Sequence, residues 1–140
     1  MDRPRFWQAT TAGFVTSFVV GFLLWGIVLA DFMAANTFAP AGVIKDPPIL
    51  WIMAAGELAL ALLMTLMISW KGEPGAAQGA KVGAIFWLLL GIGLWASFLG
   101  MMNLYTPGWA VVDLAAGIFR GAGVGAVIGL VLGRGEGASA

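Results

Sequence analysis

The chain has 140 residues, 61% of them hydrophobic and only 10% charged, and seven basic and seven acidic side chains cancel to a net charge of zero. Soluble domains carry about 25% charged residues, so this composition belongs to a membrane protein of one small domain, residues 1–140. The balanced charge removes any basic-surface argument for nucleic acid. The absence of cysteine and histidine excludes disulfides, thiol nucleophiles, Cys/His zinc sites, histidine-ligated haem and histidine acid–base chemistry.

The first apolar segment, about 11–30, reads "TAGFVTSFVVGFLLWGIVLA". A cleaved leader is the rival reading, because "RPR" precedes the segment and "DFMAAN" follows it. The run is longer than a leader's apolar core, so it is expected to span. Residues 31–49 form the long connection. Phe32, Met33, Phe38, Val43 and Ile44 place it in the outer interface, either as a plain connector or as a lid. The second segment, 50–70, is interrupted only by Glu57. "KDPPI" before it suggests Asp46 as an N-cap with Pro47 at the first helical position, and "WKGEPG" ends it with a lysine, a glycine and a proline. The third segment is 82–104. The fourth is 107–133, opened by Thr106 as N-cap and Pro107 at the first helical position.

Each segment has the roughly 20 apolar residues that a span needs. Runs without alternation must be helices in lipid, since barrel strands alternate. The expected fold is therefore an all-α membrane protein, four transmembrane helices in an antiparallel bundle. Arg3, Arg5, Lys71, Lys81 and Arg134 fall on one side and Lys45 alone on the other, which predicts that both termini are cytoplasmic. Trp7 and Trp70 mark one interface, Trp51 and Trp109 the other.

Small residues recur every fourth position. Gly117, Gly121, Gly125, Gly129 and Gly133 form a ladder in the fourth segment, and Gly13, Ser17 and Gly21 one in the first. Such faces let helix backbones approach closely. Packing within the chain and a homodimer face both fit. The third segment carries Gly93, Ser97 and Gly100 in its outer half, ending at Asn103.

Polar groups cluster by depth. Glu57 lies about 10 Å past Leu50, Asp113 about 6 Å past Trp109, and Arg120 about 16 Å past Trp109. Asp31 and Asn103 end the first and third segments on the same outer side. Asp113 and Arg120 share a helix face with Gly117 between them. The Arg120 side chain leans toward its helix N-terminus, toward Asp113 and the level of Glu57. A charge at the centre of a span costs about 2.5–3.5 kcal/mol on insertion scales and is expected to be paired inside the bundle. Glu57 is the preferred partner, coming from another helix and lying deeper than Asp113. Glu57, Asp113, Arg120, Asn103 and Asp31 thus form an intramembrane charge cluster that is either a buried lock on helix register or an outward-facing substrate, ion or proton site. Two carboxylates can bind a hard cation, but no spacing specifies a metal or cofactor.

The pattern "FVVGFLLWGIVL", then "PPxxWxxxGEL", then "GAKVGAIFWLLLGIG" and a glycine-rich last span resembles a family of small bacterial four-span inner-membrane proteins of unknown function. The resemblance implies a multi-pass protein of the bacterial inner membrane and brings no assigned activity. Four-span drug exporters also hold a membrane glutamate, but theirs lies in the first span, which here has no acid before Asp31. With no nucleophile–base pair visible, the expected function is non-catalytic: an accessory subunit of a membrane complex, or a homo-oligomer packed through glycine faces. A small transporter or channel using Glu57, Asp113 and Arg120 is the alternative. Partners are the bilayer and other membrane subunits or a second copy.

Overall fold

The computed structural model describes residues 3–45, 47–72 and 74–134. The chain is all-helical, with α1 (Arg3–Gly21) running into a π-helical segment (Phe22–Val28), then α2 (Ala30–Ala35), α3 (Leu50–Trp70), α4 (Ala76–Met101) and α5 (Pro107–Gly133). Four of these units are long and apolar enough to cross a membrane: Arg3–Val28, Leu50–Trp70, Ala76–Met101 and Pro107–Gly133. The helices of the first and third spans extend beyond the charge-free runs. Arg3 and Arg5 lie on the first turn of α1 and Lys81 on the second turn of α4, where long basic side chains reach water while the backbone stays helical.

Helix α5 is the hub. It carries the largest buried share of the four and packs against α4 along its length, against α1 and, more lightly, against α3. The core sits at the end holding the α1 N-terminus, where Ala9, Met64, Ile68, Val124, Ile128 and Leu132 interlock. Val82, Phe86 and Trp87 of α4 cover them. Buried Thr10 and Thr65 donate to the Phe6 and Ala61 carbonyls of their own helices, at 3.0 and 2.8 Å, so neither is left unsatisfied.

The helix ends partly follow the sequence signals. Thr106 caps α5, its hydroxyl accepting from the Trp109 N–H at 3.1 Å, and Pro107 is the first helical residue. Gly72, just past α3, has φ +80°, the left-handed stop that glycine permits. At the start of α3 the expectation fails. The helix opens at Leu50 after an extended Ile49, so Pro47 lies outside it. Asp46, Glu73 and the tail 135–140 lie outside the described residues.

The long connection is pinned rather than loose. Thr37 and Tyr105 form an isolated antiparallel bridge. The Phe38 N–H donates to the Leu104 carbonyl at 2.7 Å and the Thr106 N–H to the Asn36 carbonyl at 3.0 Å. The Thr106 hydroxyl also donates to Asn36 Oδ1 at 2.6 Å. One residue thus caps α5 and ties the α4–α5 turn to the first loop. Thr106→Ala should cost about 1–2 kcal/mol, measurable as a lower unfolding temperature in detergent; an unchanged value would show that the tie adds nothing.

Candidate functional site

Arg120 is buried on α5 and meets all three other spans. Its Nη2 ion-pairs with Glu57 Oε2 of α3. Its Nε and Nη2 donate to the Ser17 hydroxyl of α1 at 3.2 and 2.8 Å, and that hydroxyl donates to Glu57 Oε2 at 2.7 Å. Ser17 therefore bridges the two charges, accepting from the cation and donating to the anion. The guanidinium lies 4.7 Å from the Trp87 ring of α4 and 5.3 Å from the Trp25 ring of the π-helical segment. A cation over an indole face contributes up to about 2 kcal/mol where water is excluded.

Local structure explains the fit. Gly21 lies beside the guanidinium, and a methyl there would sit 3.2 Å from Nη1. Gly117 and Gly121 leave room for the Trp87 ring, whose Cε3 is 3.6 Å from the point where a Gly117 Cβ would stand. Gly117 thus receives an indole alone, and Gly121 both the indole and the Gly83 backbone. The π-helical segment, closed by a bond from the Leu29 N–H to the Leu24 carbonyl, widens the turn that carries Trp25. Such bulges re-aim side chains within a helix, and here Trp25 reaches both charged groups of α5.

Asp113 does not pair with Arg120. Its Oδ1 accepts from Trp25 Nε1 at 2.6 Å and its Oδ2 from Trp95 Nε1 at 2.7 Å. The carboxylate is held by two indole donors and fastens the first, third and fourth spans together toward the end that holds α2. The Trp95 ring is itself wedged against Tyr105, with centroids 5.3 Å apart. Asp31 and Asn103 stand apart from the cluster. Both are exposed, Asp31 on α2 and Asn103 in the α4–α5 turn, where solvent can hydrate them.

The small-residue positions divide by use. Gly121, Gly125, Gly129 and Gly133 press against the backbone of Gly83, Gly79, Gly75 and Pro74, respectively. The partner of the α5 ladder is therefore the N-terminal half of α4 with the two residues leading into it, not the stripe of Gly93, Ser97 and Gly100. A Cβ at Gly93 or Gly100 would meet nothing within 4 Å. In α1, Gly13 accommodates the Ile128 side chain, 2.6 Å from a Cβ built there, so this face takes side chains and no second backbone.

Sequence reasoning missed Trp25, Trp87 and Trp95, and it placed Ser17 in packing only. The signal was available, because these three tryptophans lie between the two interfacial levels. Trp109, assigned to the outer belt, is buried instead, its ring 6.0 Å from Phe32 beneath α2. Trp7, Trp51 and Trp70 are exposed, as belt residues must be. Compared with protein-family models, curated proteins and solved structures, the chain matches none.

Proposed function

We propose that this is a non-catalytic protein of the bacterial inner membrane that acts by helix packing, as an accessory subunit of a membrane complex or as a homo-oligomer. The observation that carries this reading is the closure of the Arg120 site. Glu57, Ser17, Trp25 and Trp87 occupy the guanidinium from three other spans. A cation so fully engaged by its own chain serves as a lock on helix register. A substrate would have to displace those groups. Affinity purification in mild detergent tests the reading: a stoichiometric membrane partner or a defined oligomer is expected, and a lone monomer with transport activity in vesicles would overturn it.

A small transporter with a polar site at Glu57, Asp113 and Arg120 is the second reading. It draws support from the Glu57 side chain, which keeps 20% exposure where Arg120 keeps 7%. If the charges carry ions or substrate, a Glu57→Leu/Arg120→Leu protein will fold but lose activity. If they are a lock, it will keep whatever function the cell needs.

The basic residues orient the bundle, with Arg3, Arg5, Lys71, Lys81 and Arg134 inside. A C-terminal reporter fusion should therefore be active in the cytoplasm, and one in the 31–49 loop in the periplasm. Both reporters on one side of the membrane would remove this topology.

A further inference from the structure

Burial in the bundle stops at one level. Among the described residues, the first span has no buried residue beyond Ser17, α3 none before Ala61 and α4 none beyond Gly83. On α5 the buried residues nearer the α2 end than Gly117 are Trp109 and Ala110, and the Trp109 ring packs on Phe32 of α2. The layer of Glu57, Ser17 and Arg120 thus closes the packed core, which is sealed toward the α1 N-terminus and open toward α2. In the open part, Trp25 and Trp95 tie the first, third and fourth spans together through Asp113. Between Leu50 and Glu57, no side-chain bond among the described residues joins α3 to another span. The α3 face that is buried at Ala61 accordingly opens one turn at a time. Ala54 is half-buried, and Met53 is 52% exposed.

Glu57 stands at the bottom of this opening. Both bonds that hold its carboxylate end on Oε2, and no donor among the described residues reaches Oε1. Nor is Oε1 sealed, because the fully buried side-chain atoms left without a partner are Gln78 Nε2 and Trp87 Nε1. Acyl chains offer no hydrogen bond, and charged groups within spans face the bundle interior or a water-filled cavity. We propose that a cleft between α3 and the layer of Trp25, Asp113 and Trp95 admits water from the end that holds α2, with Glu57 Oε1 as its floor. Glu57 and Asp113 against Arg120 leave one negative charge at this level, so small cations enter in preference to anions. The Arg120 lock forms the seal beneath. Such a cleft gives the second reading the access it needs, and it exists whether or not anything is carried.

The chain has no cysteine, so single-cysteine variants report on one position each. Membrane-impermeant thiosulfonates, one cationic and one anionic, are applied to right-side-out and inverted vesicles in turn, and Ala41→Cys in the exposed loop shows which face holds α2. From that face, Ala54→Cys should label at least about tenfold faster than Ala55→Cys, since only the thiolate reacts and lipid keeps a thiol protonated. Ala55 is exposed at the same depth but lies about 100° round the helix. Thr65→Cys, fully buried beneath the layer, should stay unlabelled from either face. At Ala54→Cys the cationic reagent should be the faster, and adding Glu57→Gln should bring the two rates together. Equal, slow labelling at 54 and 55 would mean that acyl chains fill the opening and would overturn the cleft. Labelling of Thr65→Cys would overturn Glu57 as its floor. Labelling at 54 alone, with no solute moved across the same vesicles, would support the cleft while removing the transporter reading.

Discussion

Arg120→Leu is expected to destabilise the solubilised protein by about 3–5 kcal/mol, the cost of removing one member of a buried ion pair. The wild-type guanidinium neutralises Glu57, donates to Ser17 and fills the space between the Trp25 and Trp87 rings. Leucine does none of these and leaves the Glu57 carboxylate with the Ser17 hydroxyl as its remaining partner. Adding Glu57→Leu should recover part of the loss, because the orphan acid is gone and Ser17 can turn to a carbonyl of its own helix. Arg120→Lys should behave more like the leucine variant than like wild type. An ammonium has neither the planar face that lies against two indoles nor the fork that reaches Ser17 through two nitrogens. Thermal unfolding of the four proteins in one detergent decides the matter, and an unchanged midpoint for Arg120→Leu would remove the lock.

How much of this site could be read in advance varies residue by residue. The pairing of Arg120 with Glu57 follows from depth alone, since both heights come from counting residues along helices entering from the same side. Asp113 shows where such counting stops. It shares a face with Arg120 but lies about 10 Å along the axis, and Trp25 and Trp95 engage both its oxygens first. Trp25 reaches it through the π-helical turn, and one extra residue in a turn leaves no trace in an uninterrupted apolar run. The glycine pairing failed for a different reason. Gly75, Gly79 and Gly83 repeat every fourth residue in plain view, but Lys81 interrupts them, and a span defined by its charge-free run begins only at Val82. The four spans themselves were legible because burial in lipid demands length and apolarity, both one-dimensional properties. Which faces meet is a three-dimensional property. The α5 ladder announced itself, and its partner in α4 did not.

That ladder carries the other large effect. Gly125→Leu should unfold at a markedly lower temperature than wild type, with a cost near the top of the range for overpacking a close-packed interface, about 3 kcal/mol. A Cβ at Gly125 would overlap the Gly79 carbonyl oxygen, lie 2.8 Å from the Gly79 carbonyl carbon and 3.2 Å from Gly83 Cα. These are backbone atoms and cannot rotate away, so α4 and α5 must separate. Separation propagates, because Gly121 and Gly129 rest on the same α4 backbone and Trp87 lies over Arg120 from that helix. Two substitutions on α5 isolate the cause. Leu130→Ala, at an exposed position, should stay within about 0.5 kcal/mol of wild type, as surface changes usually do. Gly123→Ala, where a Cβ meets nothing within 4 Å, should be neutral or gain up to about 1 kcal/mol from helix propensity. If Gly125→Leu melts with wild type while Gly123→Ala does the same, the two backbones are not in contact and the α4–α5 interface described above is wrong. If Gly125→Leu alone falls, the missing side chains of this ladder hold the third and fourth spans together.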